Sequence, residues 1–309
     1  MISSIFEKTK PVNFIILLVF LFLFYWGVQF YLLNKTILEL KIGATLGILG
    51  TVLFSVFVVD FIVKRNKLTA NNSFAILYFT ILFVVFPETL GDSNAIFATF
   101  FLLLAMRRLL SIKSLKRIKL KIFDASLWIC VASIFYEWTL LYLILVFAAI
   151  YIYEPKNIRN WLIFLSVGFC FFMILYGSLI LLGKTSFLTS HYDFAVDVNA
   201  LLPIKWWSSI KLTLYALMNI GLGFWIFIRL GSTGSGKVTI MRLIALSFII
   251  GLVVNLLVAS ENTNAVMITF FPSVIFIVNY LESIKRPKFL ELILITCILA
   301  PIVVFFTKL

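Results

Sequence analysis

IFDASLWICVASIFYEWTLLYLILVFAAIYIY, residues 122–153, is an apolar run with a single glutamate, Glu137, at its middle. About 20 apolar residues cross the ~30 Å hydrocarbon core of a bilayer as a helix. This run is too long for one ordinary crossing and too short for two. One long tilted helix would hold Glu137 at the bilayer centre, at a cost of at least ~2.5 kcal/mol. Two short helices, 122–135 and 138–153, would place it at a turn. The choice fixes the side of every loop that follows.

Charge separates the two cases. With two short helices the chain makes about 11 crossings of ~20 residues or fewer and starts in the cytoplasm. All 26 lysines and arginines then lie on the inner side except Lys35, Lys41, Lys184, Lys205, Lys211 and Lys308. With one helix, Lys156, Arg159, Arg229, Lys237, Arg242, Lys285, Arg286 and Lys288 would all move outside, against the positive-inside rule. The two-helix solution is the one the charges support.

The rest of the composition agrees. Hydrophobic residues fill 63% of 309 positions, 34 of them phenylalanine, and the mean hydropathy is +1.13. These values lie outside the range of soluble domains. The apolar runs lack the alternation of barrel strands, so the fold class is all-α, a polytopic helical bundle and a single membrane domain over 1–309. The further runs are 12–33, 42–63, 73–86, 95–110, 161–182, 210–228, 243–259, 266–281 and 289–306. The first follows Glu7, Lys8, Lys10 and Pro11 and has no small-residue cleavage site after it, so it reads as an uncleaved span. Gly43 and Gly47, four apart, suggest a close-packing face, and Pro272 and Pro301 suggest bends.

Several chemistries are disfavoured. Cys130, Cys170 and Cys297 sit in apolar runs without a CxxC pair, and His191 is the single histidine, so no metal site or redox cofactor is expected. The segment RLGSTGSGKVTIMR (229–242) has P-loop spacing, but it follows an apolar helix, and Val238 stands where the magnesium-binding hydroxyl belongs. It is a flexible inner turn, and no nucleotide is expected. The net charge of +13 follows from topology plus one cluster, MRRLLSIKSLKRIKLK (106–121), and needs no nucleic acid. That cluster suits anionic lipid headgroups at the inner face or, alternatively, a cytoplasmic partner.

The opposite face holds the candidate site. The run 73–86 would span only about 21 Å as a helix, and the helices around Glu137 are similarly short. Two hairpin tips, FPETLGDSN (86–94) and FYEW (135–138), would therefore sit below the outer membrane plane and form a recess. Glu88, Asp92 and Glu137 in these tips are candidate catalytic or ligand-binding groups, since a buried or crowded carboxylate can act as a general base. Their structural alternative is capping and loop solvation, with Asp92 a good N-cap for the helix that follows. In the longest outer loop, Lys205, Trp206, Trp207, Lys211 and His191 are candidate contacts to a lipid phosphate. Snorkelling of the two lysines and plain solvation of His191 are the alternatives.

The N-terminal MISSIFEKTKPVNFIILLVFLFLFYW, the FPETLGDSNAIFATFFLLLAMRRLL hairpin and the FYEWTLLYLIL tip resemble a family of uncharacterised multi-pass inner-membrane proteins of Gram-negative bacteria. ENTNAVMITFFPSVIFIVNYLE (261–282) more distantly resembles the late segment of C-type membrane glycosyltransferases and glycan polymerases. That resemblance implies an outward cavity and a polyprenyl-phosphate donor. The first outer loop, where those enzymes carry a catalytic acid, is here only NKTILELK (34–41), with Glu39 its sole acid. Two functions follow: handling of a polyprenyl- or lipid-linked substrate at the outer leaflet, or a non-catalytic subunit of an envelope complex with other inner-membrane proteins. A small-solute transporter is a third.

Overall fold

The computed structural model describes residues 5–35, 41–194, 206–230, 235–258, 265–284 and 286–306, and every regular element among them is helical. The α-helices are α1 (Pro11–Gly27), α2 (Ile42–Asn66), α3 (Phe74–Val85), α4 (Ser93–Ser111), α5 (Ile118–Ala132), α6 (Leu143–Tyr153) and α7 (Ile158–Leu181). They continue as α8 (Ser186–His191), α9 (Trp206–Leu230), α10 (Ser235–Leu257), α11 (Phe270–Leu281) and α12 (Pro287–Phe306). Six segments are long and apolar enough to cross a membrane: Pro11–Leu32, Ile42–Asn66, Ser93–Ser114, Ile158–Leu181, Ile210–Leu230 and Gly236–Leu257. The molecule is a multi-pass helical membrane protein. Its exposed surface is accordingly apolar, and on α7 Leu181 is 89% exposed and Ile174 73%. Lipid is the solvent that such a face requires.

The run 122–153 is broken. Helix α5 stops at Ala132, residues 133–136 turn, and a 3-10 segment, Glu137–Tyr142, leads into α6. Glu137 thus opens the second short helix instead of lying inside a long one.

Helix α3 is only 12 residues long, about 18 Å at ~1.5 Å per residue. It is nevertheless buried from Phe74 to Val84, because α1, α2, α11 and α12 surround it. A helix that is apolar on all sides is at home either against lipid or in the core, and its neighbours place this one in the core. Its phenylalanines mesh with those of α11: Phe83 and Phe270 meet edge to face at 5.5 Å, and Phe79 packs on Phe270 at 6.3 Å. Phe86 extends the cluster to Tyr215 of α9 at 5.2 Å.

Several polar groups between α9, α10 and α11 are paired, whereas Tyr78 Oη on α3 is buried without a hydrogen-bond partner among the described residues. Tyr142 Oη donates to the Ser247 carbonyl at 3.0 Å, the Tyr215 and Thr269 hydroxyls lie 2.9 Å apart, and Ser273 Oγ donates to Asn219 Oδ1 at 2.6 Å. The first of these bonds ties α10 to the second tip, and the other two tie α9 to α11 and to the residue just before it.

A Cβ added at Gly43 or Gly47 meets nothing within 4 Å, so that face of α2 packs no neighbour among the described residues of the chain. Pro272 lies in the first turn of α11, directly after the 3-10 segment Ala265–Thr269, so its missing N–H falls where the chain passes from 3-10 to α geometry. Pro301 lies within α12.

The bundle has two ends of opposite character. Alternation of α2 to α6 brings the turns at 86–92 and 133–137 to one end. It brings the turns at 67–73 and 112–117, with Lys64, Arg65, Lys67 and Lys113, to the other.

Candidate functional site

The two tips are built alike. In the first, Phe86 leaves the helical region at φ −123°, and Pro87 opens a 3-10 turn, Pro87–Gly91, that carries Glu88. In the second, Tyr136 is extended, at φ −139°, and Glu137 opens the 3-10 turn. Thr89 and Thr139, both buried, close the turns: Thr89 Oγ1 donates to the Phe86 carbonyl and Thr139 Oγ1 to the Tyr136 carbonyl, each at 2.7 Å. The sequence signal was present, a threonine three residues after an aromatic with a glutamate between, but its meaning depends on the turn it makes.

Glu88 accepts two hydrogen bonds from Lys211 Nζ, at 3.0 and 3.2 Å, which ties the first tip to the start of α9. The same ammonium lies 4.9 Å from the centroid of the Phe86 ring. Attraction to the carboxylate and to the ring face holds Lys211 inward. Asp92 caps α4, with Oδ1 accepting from the N–H groups of Asn94 at 3.0 Å and Ala95 at 3.1 Å. Its second oxygen accepts a short bond from the Tyr136 hydroxyl. Asp92 is therefore both a cap and the link between the two tips. A further anchor comes from α1, whose last turn is a π-helix, Val28–Leu32: Gln29 Nε2 donates to the Leu90 carbonyl at 3.1 Å, and Lys35 Nζ donates to Gln29 Oε1 at 3.2 Å.

Glu137 differs from Glu88. Both are partly exposed, but among the described residues no lysine, arginine or histidine lies within ion-pair distance of Glu137. Its neighbours are tyrosines.

Helix α8 docks on this second tip. His191 Nε2 lies 2.8 Å from the Ser133 carbonyl, so that nitrogen carries the proton. Tyr192 Oη lies 3.0 Å from Ser133 Oγ, which itself donates to the Cys130 carbonyl at 2.7 Å, so Tyr192 is the donor of the pair. Burial raises the Tyr192 pKa above its ordinary value, and the nearby Cys130 and Glu137 add to this. Tyr192 thus stays a neutral donor. His191 is a structural clasp here, stacked on Phe187 at 4.7 Å, and not a solvated loop residue.

Below α8 runs an apolar groove of about 380 Å³, lined by Gly168, Phe169, Phe172, Met173, Tyr176 and Leu188. It leads to the clasp, because Phe172 meets the Tyr192 ring edge to face at 5.4 Å.

The structure therefore brings together Glu88, Asp92, Glu137, His191 and Lys211 at one end of the bundle. Trp206 and Trp207 form the first turn of α9, but their side chains are not among those described, and Lys205 lies outside the described residues. Among the described residues, no group of three or more His, Cys, Asp or Glu side chains converges as metal ligands would. No protein-family model, curated protein or solved structure matches the chain.

Proposed function

We propose that the two tips face outward from a bacterial inner membrane, with the N-terminus cytoplasmic and about 11 crossings, and that this end handles a polyprenyl- or other lipid-linked substrate. The observation that carries this reading is the continuity of the apolar groove on α7 with the Tyr192–Ser133 clasp beside Glu137. A lipid-linked substrate has the same two parts, a long apolar chain and a polar head at its end.

In this assignment the groove takes the chain. Lys211, freed from Glu88 or shared with it, faces the phosphate as a point charge. Glu137, which has no cation to neutralise it among the described residues, accepts a hydroxyl of the head group and, if the protein is an enzyme, its proton. Asp92 and Tyr136 position Glu137 by holding the tips together and do not themselves meet the substrate.

A second reading, a non-catalytic subunit of an envelope complex, is favoured by the structural use already made of the acids: Glu88 is paired with Lys211 and Asp92 caps α4. Native mass spectrometry of the protein taken from bacterial membranes separates the two. A retained polyprenyl-phosphate lipid, lost in folded Glu137→Gln and Lys211→Gln variants, is the outcome expected of a substrate site. Equal lipid retention by both variants, or co-purification of a defined partner protein with no such lipid, would favour the subunit.

A further inference from the structure

The opposite end of the bundle holds a cavity of about 410 Å³ between the last turns of α2 and α4, the 3-10 turn Ile112–Ser114 and the first turn of α5. Five of its lining residues are cationic: Arg65, Arg107, Arg108, Lys113 and Lys121. Basic side chains at helix C-termini are ordinary, because they complement the terminal carbonyls. The question is how many of the five that accounts for.

It accounts for two. Lys113 Nζ donates to the Asn66 carbonyl at the end of α2, at 3.0 Å. Lys121 Nζ donates to the Ser111 carbonyl at the end of α4, at 2.5 Å, and to Ser114 Oγ at 2.7 Å. Arg108 is neutralised by Asp124, Nε to Oδ2 at 2.9 Å. The Arg107 guanidinium lies over the Phe61 ring, its Cζ 4.7 Å from the centroid, a contact that supplies no oxygen acceptor. Arg65 has no carboxylate within ion-pair distance among the described residues. Two guanidinium forks therefore remain without an acid, in a cavity where like charges already crowd one another. Such a site gains free energy from an anion, and paired guanidinium groups are suited to phosphate oxygens.

The cavity also has an apolar wall. Phe61 is 45% exposed on the lipid-facing side of α2, one turn before Arg65. Cations above an exposed aromatic place the cavity at the level of the headgroups, where a basic pocket between helices takes a lipid phosphate.

We propose that this cavity is a phosphate-binding site in which Arg65 and Arg107 hold the phosphate, supplied by the headgroup of an anionic phospholipid or by a soluble phosphate compound. It is independent of the proposal for the tips, at the other end of the molecule. It also differs from a general electrostatic anchor, in which every basic residue of the 106–121 cluster would count alike.

The test is a calorimetric titration of the purified protein in neutral detergent, with short-chain phosphatidylglycerol in one arm and inorganic pyrophosphate in the other. Arg65→Gln and Arg107→Gln should each weaken binding at least about tenfold, the loss expected for a charge-assisted contact. Arg107→Lys, which keeps the charge and loses the fork, should also weaken it and guards against misfolding of the glutamine variant. Lys116→Gln and Lys119→Gln, exposed members of the same cluster that do not line the cavity, should change affinity less than about twofold. Binding in the lipid arm alone assigns a headgroup, and equal or tighter binding of pyrophosphate assigns a soluble ligand. No binding in either arm, or equal losses in the cavity and cluster variants, would overturn the proposal.

Discussion

Thr89 and Thr139 stand in the same relation to their tips: each hydroxyl donates at 2.7 Å to the carbonyl of the aromatic residue three positions before it, Phe86 and Tyr136. The backbone N–H groups of the same threonines donate to the same carbonyls, at 3.1 and 3.0 Å. Each turn is thus closed twice, and each presents a glutamate at its start. The two hairpins share this local device as well as their short length.

Replacing either threonine by valine keeps the shape and removes one donor. The remaining N–H still satisfies the carbonyl, so each variant should lose only about 1 kcal/mol, the ordinary worth of a buried hydrogen bond. Reversible unfolding in mixed micelles would show this, and the serine variants should retain the bond.

Gly251 is the most closely approached of the described glycines: a Cβ there would lie 2.8 Å from Tyr142 Oη and 2.9 Å from Thr269 Cγ2. Both obstacles are fully or almost fully buried, and Tyr142 is held by Ser247. Gly251→Ala should destabilise by about 1–3 kcal/mol, the usual cost of overpacking. Gly47→Ala, which meets nothing within 4 Å, should be neutral or better in the same assay.

Glu282 joins the end of α11 to the α2–α3 turn, Oε1 accepting from the Ala70 N–H at 2.8 Å and from Asn72 Nδ2 at 2.6 Å. Burial raises its pKa, against the lowering effects of Asn72, Ala70 and Lys237. A carboxyl whose folded pKa is raised favours the fold when protonated. Its stabilising increment is present below the ordinary glutamate range and is lost as pH rises through the raised value. Glu282→Gln keeps both bonds and should flatten that part of the pH–stability profile. Glu282→Ala should cost about 1–3 kcal/mol at every pH.

The proposed orientation makes a further prediction. In a background lacking Cys130, Cys170 and Cys297, a cysteine at Ser93 should react with a membrane-impermeant maleimide added outside intact cells. A cysteine at Ser114 should react only after the membrane is opened. The reverse pattern would invert the topology.

Much of this was legible in the sequence. The chain breaks beside Glu137 because a carboxylate and the charge balance both disfavour a single long helix, and composition and charge carry that information. Asp92 was readable as a cap because capping is a local rule. The rest depended on distant returns of the chain. Lys211 meets Glu88 across 123 positions, and His191 meets Ser133 across 58. No period or spacing encodes such pairs. The 3-10 segment Ala265–Thr269 and the π-turn Val28–Leu32 were invisible for another reason. They differ from an α-helix only in which carbonyl each N–H chooses, and apolar sequence is silent on that. The basic cluster was obvious as charge, but its division into cations that cap helices, one paired with Asp124 and those with no carboxylate among the described residues required the side chains.

The claim that this protein handles a lipid-linked substrate is tested most directly by photo-crosslinking in native membranes with a diazirine-bearing polyprenyl phosphate. Adducts should concentrate on residues 168–192. They should fall sharply in Gly168→Trp, which fills the groove from a position with nothing within 4 Å of the added Cβ, and persist in Gly47→Trp on the open face of α2. Equal labelling of the two variants and the unmodified protein, or adducts spread evenly over all exposed helices, would contradict it.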